Sequence, residues 1–386
     1  MMRLTRSPIP PHHSGDLTVR IPHFDLKPAA EELAPELLVR WTELLARTAF
    51  VGGSEVESFE KAFTEYLGGA GCVGVANGTD ALVLALHALG LRRGDEVLVP
   101  SFTFFATAEA VVWAGGVPVP VDVDPASFNI DLADAEARAT ARTVGVIGVH
   151  LYGQPFDLDA ATALCKRRGW WLIEDAAQAQ GASWHGRKVG TFGALAGWSF
   201  YPSKNLGCFG DGGAVTGADA AALARVRTLA NHGRLAHYQH GAVGTNSRLD
   251  ALQAAVLNLR LARLDRDNAR RAALVARYRE QLAGVGDLRF AAVPAEAVPV
   301  WHQLTVRTGA RDALRQHLLD AGVGNAIFYP VPLHQQPALV PLLPAGLSLP
   351  SSEAASREVL CLPLYPQLSE SQVDAACEAV RGFYGD

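Results

Sequence analysis

The stretch "TVGVIGVHLYGQPFDLDAATALCKRRGWWLIED", residues 143–175, places two short apolar runs on either side of a helical pattern. This arrangement is typical of a βαβ unit, in which two parallel strands are joined by a crossover helix. The same alternation occurs upstream, where "CVGVA" precedes "ALVLALHALG" and "EVLVP" precedes "ATAEAVVWAGG". The pattern predicts an α/β fold with a large, mostly parallel sheet of the seven-stranded type, covered by helices on both faces. Ligands of such sheets bind at the carboxyl ends of the strands.

The pattern changes after Ser247. One long helix is predicted from about Leu249 to Leu282, with Gly284 as its stop signal, and beyond it "WHQLTVRT" alternates like a strand and "RDALRQHLLDAG" like a helix. We therefore divide the chain into a loose leader (residues 1–20), a large domain with its N-terminal segment (21–248), a bridging helix (249–284) and a small α/β domain (285–386).

Two helix starts carry the capping-box pattern, in which a serine and the residue three positions later bond each other's backbone. One is Ser54 with Glu57, ahead of "SFEKAFTEYLGG", and the other is Ser369 with Gln372 in "LSESQVDAACEAVRGF". Both predict helix N-termini at these serines.

Composition excludes several classes of protein. Of 386 residues, 49% are hydrophobic, and the net charge is -5, which suits a globular protein and argues against a nucleic-acid partner. The five cysteines form no CxxC pair and no ligand spacing with histidine, so neither a disulfide framework nor a metal site is predicted. No apolar stretch reaches the roughly 18 residues of a membrane span. We expect a cytoplasmic protein with no membrane partner.

Two residues follow apolar runs and could carry chemistry. Asp175 ends the strand "WWLIED", where a ligand would bind, although an isolated aspartate there is more often a helix cap or a loop ion pair. Lys204 follows "ALAGWSF" and precedes a glycine-rich turn (Gly207, Gly210, Gly212 and Gly213), where missing side chains and left-handed backbone would let the chain curl around a bulky group. A desolvated lysine has a lowered pKa and a free amine for attack on carbonyls. An ordinary surface lysine is the alternative.

A third element is "VANGTDAL", where a strand meets a helix at Gly78 and Thr79. Free N–H groups and the helix dipole make such a junction a phosphate site, with the Thr79 hydroxyl as a further donor. The alternative is that Thr79 or Asp80 only caps the helix. The junction lacks the P-loop pattern, and no GxGxxG run opens a helix, which argues against a dinucleotide-binding dehydrogenase.

Together, a phosphate site, a strand-end aspartate and a lysine in a glycine-rich loop meet the needs of pyridoxal phosphate. Its phosphate binds a helix N-terminus, its ring nitrogen stays protonated beside a carboxylate, and its aldehyde joins a lysine amine. Lys204 and Asp175 are therefore the predicted catalytic residues.

Eight motifs carry a resemblance to a known family, the DegT/DnrJ/StrS family of sugar aminotransferases. In chain order they are "FVGGSEVESFEKAF", "VANGTDAL", "VPSFTFFATAEAV", "VHLYGQP", "IEDAAQAQGA", "SFYPSKNLGCFGDGG", "GTNSRLDALQAAV" and "YPVPLH". They fall in the family's order over nearly the whole chain, and they imply the fold type I architecture of pyridoxal-phosphate enzymes.

The resemblance also implies roles for single residues. In the cofactor pocket, Lys204 matches the Schiff-base lysine, Asp175 the partner of the pyridinium nitrogen, Gln178 a contact to the ring edge, Phe104 the aromatic that stacks on the ring, and Gly78, Thr79 and Ser199 the phosphate-binding positions. Asn246 matches an asparagine that reaches the phosphate from the neighbouring subunit, which implies a homodimer with shared active sites. Taken singly, Phe104 could be core, Ser199 a buried strand hydroxyl and Asn246 a turn residue.

The implied reaction is a ping-pong transamination from L-glutamate to a nucleotide-linked keto sugar. Tyr201 and Asp211 resemble the branch that aminates a 3-keto carbon, since the 4-keto branch more often has histidine and glutamate there. Arg248, Tyr329 and His334 are tentative substrate contacts, with a structural ion pair as the alternative for Arg248. This chain departs from the family pattern at one position, because Phe328 stands where several relatives carry histidine.

Three other functions remain as alternatives: a 4-keto sugar aminotransferase, a deoxysugar dehydratase, and a non-catalytic regulator of the same fold. Dehydratases of this fold replace the Schiff-base lysine, typically by histidine, and a regulator would be expected to lose the lysine or the aspartate. This chain has both residues.

Overall fold

The computed structural model describes residues 20–69 and 71–385, so residues 1–19 of the predicted leader lie outside the described part. Its first elements are α1 (Lys27–Arg47), α2 (Ser54–Tyr66), β1 (Gly71–Val75), α3 (Gly78–Ala88), β2 (Glu96–Pro100), α4 (Ala106–Trp113), β3 (Val117–Val121), α5 (Leu132–Arg138), β4 (Thr143–Val149), α6 (Leu158–Arg168), β5 (Trp171–Asp175), β6 (Ser183–Trp184), β7 (Arg187–Lys188), β8 (Leu195–Ser199), β9 (Gly213–Gly217) and α7 (Ala220–Ala230). They are followed by β10 (Arg234–Ala236), β11 (Gln239–His240), α8 (Ala251–Leu261), α9 (Leu264–Gln281), β12 (Arg289–Phe290), β13 (Ala297–Val298), β14 (Leu304–Arg307), α10 (Arg311–Asp320), α11 (Pro350–Glu358), β15 (Val359–Leu362) and α12 (Glu370–Tyr384).

The central sheet has seven strands in the order β1-β9-β8-β5-β4-β2-β3. Only β9 runs antiparallel to its neighbours β1 and β8, and the remaining pairs are parallel. The predicted α/β fold with a mostly parallel, seven-stranded sheet is confirmed.

The two faces of this sheet separate into two hydrophobic cores. Leu172 of β5 packs in the core formed with α1, α2, α6 and α8, and its neighbour Ile173 packs in the core formed with α3, α4 and α7. Successive strand residues point to opposite faces. Glu174 is therefore on the face of Leu172, and Asp175 is on the face of Ile173, towards α3 and α4.

The predicted single helix from Leu249 to Leu282 is wrong, because the structure divides it into α8 and α9. At the break, the N–H of Arg263 bonds the carbonyl of Arg260, three residues back. The apolar residues Leu259 and Leu264 are both buried, and this five-residue step does not fit one straight helical stripe. The break lets both side chains reach a core.

The small sheet contains β12, β14 and β15, all antiparallel, and packs against α9, α10 and α12. The N-terminal segment touches both parts of the molecule: Ile21 pairs with Val323 of the small sheet's layer, whereas α1 and α2 pack in the large core. The domain boundaries stay a prediction.

The two predicted capping boxes have different outcomes. In α12, the Ser369 hydroxyl accepts the Gln372 N–H at 3.1 Å and the Gln372 side chain accepts the Ser369 N–H at 2.9 Å, so this box is confirmed. The box at Ser54 is wrong, because Gly53, with φ 76°, occupies the N-cap position and Ser54 already lies in the first turn.

Candidate active site

Asp175 lies at the carboxyl end of β5 and is 6% exposed. Its carboxylate accepts hydrogen bonds from the Thr107 hydroxyl of α4, at 2.9 Å, and from the N–H of Ala177, at 3.2 Å. Burial raises the pKa of Asp175, and the bond from Thr107 opposes this effect only in part. Neither helix capping nor a loop ion pair accounts for this side chain.

The neighbouring carboxylate, Glu174, is fully buried on the opposite face. It accepts the N–H groups of Gly190, Phe192 and Gly193 at 2.6–2.7 Å, and His150 Nε2 donates to it at 3.0 Å. Burial alone would raise the pKa of Glu174, but the bond from His150 and the backbone donors hold that pKa below its usual value. Glu174 is therefore a structural anion.

Lys204 lies in the loop between β8 and β9 and is half-buried. The loop closes on itself, because the N–H of Lys204 bonds the Tyr201 carbonyl at 2.8 Å and the N–H of Cys208 bonds the Phe200 carbonyl at 2.7 Å. The Lys204 amine bonds no group among the described residues. Burial lowers its pKa to about 8, against the attraction of the Asp175 carboxylate, so the structure brings the two predicted catalytic residues within electrostatic reach.

The glycines after Lys204 act through space rather than through left-handed backbone, because none of the four has a positive φ. A Cβ on Gly207 would lie 2.5 Å from the Pro202 carbonyl oxygen. A Cβ on Gly213 would lie 2.4 Å from the Asn77 carbonyl oxygen. The prediction of a tight curl is thus correct in outcome, but its left-handed explanation is wrong.

The predicted phosphate site is the start of α3. Asn77 is the N-cap and accepts the N–H of Asp80 at 2.8 Å, so the alternative in which Thr79 or Asp80 caps the helix is wrong. In residues 20–69 and 71–385, the N–H groups of Gly78 and Thr79 have no acceptor. Ser199, at the end of β8, lies against this turn, since a Cβ on Gly78 would be 2.7 Å from the Ser199 Cβ. Two free N–H groups and the Ser199 hydroxyl therefore lie close together at this turn.

Another predicted group of site residues contains aromatic rings. Phe104 is 56% exposed, so it is not a core residue, and its ring centre lies 5.9 Å from that of Tyr329. The Gln178 amide donates to the Tyr329 hydroxyl at 3.1 Å, and its oxygen accepts the N–H of Tyr152 at 2.7 Å. Phe104, Gln178 and Tyr329 thus form one contact group.

The remaining predicted residues lie in other environments. Arg248 is exposed and donates to the Asn231 side chain at 3.2 Å, and no carboxylate of the described chain pairs with it. His334 is buried, with Nδ1 2.7 Å from the Ser101 hydroxyl and Nε2 3.2 Å from Glu353, which favours a structural role. Asn246 is exposed and forms a backbone bridge with Asn231. The substrate and partner-subunit roles of these residues stay predictions.

Sequence reasoning missed three polar residues close to Asp175 and Lys204. Thr107 lies in the quoted motif "PSFTFFATAEAV", and Asn205 directly follows Lys204, but neither position carried a predicted role. His302 is 5% exposed and affected by the charge of Lys204 although it is far away in the sequence. Only the fold brings it there.

The described residues offer neither a metal-binding cluster nor a membrane-spanning helix. No group of three or more His, Cys, Asp or Glu side chains is arranged to hold a metal ion. None of the helices described is both long and apolar enough to cross a membrane.

Comparison with known proteins tests the resemblance. The DegT/DnrJ/EryC1/StrS aminotransferase family matches residues 32–381. The chain belongs to this family. A curated family member, dTDP-3-amino-3,4,6-trideoxy-alpha-D-glucose transaminase of Streptomyces venezuelae, is 45% identical over 94% of this chain and 96% of its own length. The predictions of the family and of an aminotransferase are confirmed.

Solved structures of the family agree with the fold. The S. venezuelae protein DesV, in complex with a ketimine intermediate, superimposes with a TM-score of 0.93 at 45% identity, covering 96% of this chain and 100% of that one. The Bacillus subtilis protein NtdA, with bound cofactor PMP, has a TM-score of 0.90 at 31% identity, covering 95% and 86% of the two chains. The predicted fold type I architecture is confirmed.

Proposed function

We propose that this chain is a pyridoxal-phosphate-dependent aminotransferase that moves an amino group from L-glutamate to a nucleotide-linked keto sugar, with a 3-keto carbon as the preferred acceptor. The observation that carries the proposal is that Lys204, an amine without a hydrogen-bond partner among the described residues, lies within electrostatic reach of Asp175, a buried carboxylate. Family membership supplies the reaction class.

The residues present fit pyridoxal phosphate. The start of α3 offers the free N–H groups of Gly78 and Thr79 to a phosphate, and Gly78 leaves no room for a side chain beside Ser199. The exposed Phe104 ring is available to stack on a flat ring. These residues would hold the phosphate and the ring face, while the Asp175 carboxylate would accept a hydrogen bond from the protonated ring nitrogen and Gln178 would contact the ring edge.

When bound, the cofactor supplies an aldehyde that joins amino groups and a ring that withdraws electrons. Asp175 is buried beside the site, and its carboxylate, when ionised, favours a proton on the ring nitrogen. With a pKa of about 8, the Lys204 amine is partly neutral near physiological pH. Lys204 can therefore take a proton from a substrate carbon and return it, as general base and then general acid.

The acceptor sugar is proposed from the residues around the lysine loop and from one relative. Tyr201 is 55% exposed and Asp211 is exposed, so both are available to a substrate. The S. venezuelae relative carries a dTDP-linked 3-amino sugar in its name. At position 328, where several relatives carry histidine, the Phe328 ring centre lies 6.0 Å from that of His23, and the Phe328 carbonyl accepts a hydrogen bond from the Tyr152 hydroxyl. That position therefore offers an apolar surface instead of an imidazole.

A homodimer with shared active sites is part of the proposal. Asn246 is exposed, and its side chain bonds no group in the described part of the chain. The neighbouring hairpin β10–β11 and the residues after it expose Leu235 (71%), Tyr238 (86%) and Val243 (98%). Large exposed apolar side chains grouped together mark an interaction surface. A second copy of the chain on this surface would bring Asn246 towards the partner's phosphate site.

The test is Lys204→Ala compared with Lys188→Ala in a panel of dTDP- and UDP-linked 3-keto and 4-keto sugars with glutamate. Lys188 is a matched control because its amine is also partly buried but bonds the Gly181 carbonyl at 3.0 Å. We expect Lys204→Ala to lose roughly a thousandfold or more of the 2-oxoglutarate release and Lys188→Ala to keep it. Borohydride should bleach the parent protein and leave the cofactor on Lys204.

Each competing function predicts a different result. Turnover by Lys204→Ala at the parent rate would rule out the proposed mechanism, and an absence of amino transfer with every sugar would favour a regulator. Sugar dehydration without 2-oxoglutarate would indicate a dehydratase, and a preference for 4-keto sugars would correct the acceptor alone.

A further inference from the structure

Asn205, the residue after Lys204, belongs to a buried polar network. Its side chain is 4% exposed, and its amide nitrogen donates to the Asn268 side-chain oxygen at 2.8 Å and to the Val300 carbonyl at 2.9 Å. Its amide oxygen lies 3.2 Å from His302 Nδ1. We name Asn205, Asn268 and His302 the lysine clamp.

The clamp determines the tautomer of His302. Because the amide nitrogen of Asn205 faces two acceptors, its oxygen faces the imidazole, and Nδ1 of His302 must carry the proton and donate. Burial and the nearby charges of Lys204, Arg271 and His23 hold the pKa of His302 well below its usual value. His302 is therefore a neutral imidazole with a proton on Nδ1.

The clamp connects three separate parts of the chain. The N–H of His302 bonds the Tyr152 carbonyl at 2.8 Å, and the Asn268 amide donates to the Gln180 carbonyl at 2.9 Å. The loop of Lys204 is thus tied to α9, to the segment before β14, and to the loop that carries Gln178. Buried polar networks of this kind fix local geometry.

We propose that His302 is a positioning residue for Lys204: as a neutral donor to Asn205, it fixes the loop that carries the lysine and keeps water and a second positive charge away from the amine. The purpose of this positioning rests on the proposed function, whereas the first measurement of it requires neither cofactor nor substrate. The titratable groups around the pair are Asp175 beside Lys204, and Arg271 and His23 beside His302, and burial lowers the pKa of His23 to about 4.

Two substitutions separate positioning from simple packing. His302→Asn keeps a donor near the Nδ1 position and preserves the bond to Asn205, whereas His302→Phe fills the space and leaves the Asn205 oxygen unpaired. His317→Phe in α10 is the matched control, because His317 Nε2 contacts the Ala379 carbonyl on the far side of the small domain. Asn205→Ala removes the clamp from its other end.

The first measurement uses the full chain without cofactor and follows acylation of Lys204 by peptide mass spectrometry over a pH series. We expect half-maximal labelling near pH 8 in the parent, and His302→Phe and Asn205→Ala to raise this midpoint by about one pH unit, because water entering the loop favours the charged amine. His302→Asn should return the midpoint to the parent value. His317→Phe should not move it.

The second measurement uses the holoenzyme and follows the visible absorbance of the lysine–cofactor link. We expect its pH midpoint to change in His302→Phe and not in His302→Asn, with a lower kcat and an unchanged KM for glutamate. An unchanged Lys204 labelling midpoint in both His302→Phe and Asn205→Ala would overturn the inference. A protein that shows the labelling shift but neither binds the cofactor nor transfers nitrogen would overturn the proposed function instead.

Discussion

The last two residues of β5 place two carboxylates on opposite faces of one sheet, in opposite electrostatic conditions. Glu174 accepts four hydrogen bonds and has no exposed surface, and its pKa is lowered. Asp175 accepts two bonds, faces the half-buried Lys204, and has a raised pKa. The pleat of a single strand thus separates an anion that holds the fold together from one that remains available to a ligand.

The surroundings of the two carboxylates differ as well. On the Glu174 side, the backbone of residues 190–193 turns three N–H groups inward, and the His150 ring stacks on Phe156 with centres 4.6 Å apart. On the Asp175 side, the nearby Gly78 and Thr79 keep free N–H groups. The first N–H groups of a helix lack intrahelical acceptors, so those of Gly78 and Thr79 are available to an anion.

The largest expected effect comes from Asp175→Asn. This substitution removes the negative charge but keeps the shape, so we expect a loss of activity of about a hundredfold or more in glutamate turnover. The folded pKa of Asp175 is raised, so its ionised form destabilises the cofactor-free protein, and the variant should melt at the same or a higher temperature at pH 7. A strongly lowered melting temperature would remove the distinction between the two carboxylates.

Glu174→Gln should mainly lower the stability of the fold rather than the activity per folded molecule. A glutamine cannot accept all four bonds and presents an N–H to donors, so we expect a loss of about 3 kcal/mol in the free energy of unfolding. Because the folded pKa of Glu174 is lowered, its stabilisation is present at neutral pH and is lost as the pH falls through that lowered pKa, so the difference between the two proteins should shrink in acid. Chemical denaturation at several pH values measures this, with activity expressed per folded molecule as the control.

A third, smaller effect tests the phosphate site. Gly78→Ala places a Cβ 2.7 Å from the Ser199 Cβ, which would push the start of α3 away from β8, and we expect cofactor affinity to fall by about tenfold to a hundredfold. Gly382→Ala in α12 is the matched control, since its Cβ would meet nothing within 4 Å. The control should leave affinity unchanged and stabilise the helix by up to about 1 kcal/mol. Equal affinities in both variants would argue against phosphate binding at Gly78.

Much of the fold could be predicted because its signals are local. Short apolar runs in a parallel sheet are buried on both faces, so strands such as β4 and β5 are visible as continuous hydrophobic segments. The break between α8 and α9 was missed, although the five-residue step between the apolar residues Leu259 and Leu264 does not fit one helical stripe and indicates it. The cap at Gly53 was missed because Ser54 and Glu57 have the spacing of a capping box. The spacing alone does not show whether the serine is the N-cap residue or the first residue of the helix.

The candidate site could be predicted only where residues lie at strand ends. Asp175, Lys204 and Gly78 each follow an apolar run, which places them at the same edge of the sheet. His302 and Asn268 reach Asn205 from 97 and 63 residues away. No period or motif relates such positions, because their meeting depends on how the small domain packs on the lysine loop.

The smallest expected effect concerns the bond that tunes Asp175. Thr107 is fully buried in α4, and its hydroxyl lowers the pKa of Asp175 against the effect of burial. Thr107→Val removes this bond, so the pKa should rise further and the acid limb of the activity profile should move to higher pH, by about one unit or less. The loss should become smaller as the pH rises, because a larger share of the carboxylate is then ionised. Thr107→Ser keeps the hydroxyl and should restore the limb.

Thr216→Val removes an equally buried hydroxyl, one that bonds Trp198 and the Gly190 carbonyl, and should lower stability while leaving the limb in place. If Thr216→Val moved the acid limb as far as Thr107→Val does, loosening of the sheet would explain the shift, and the hydroxyl would have no specific effect on Asp175.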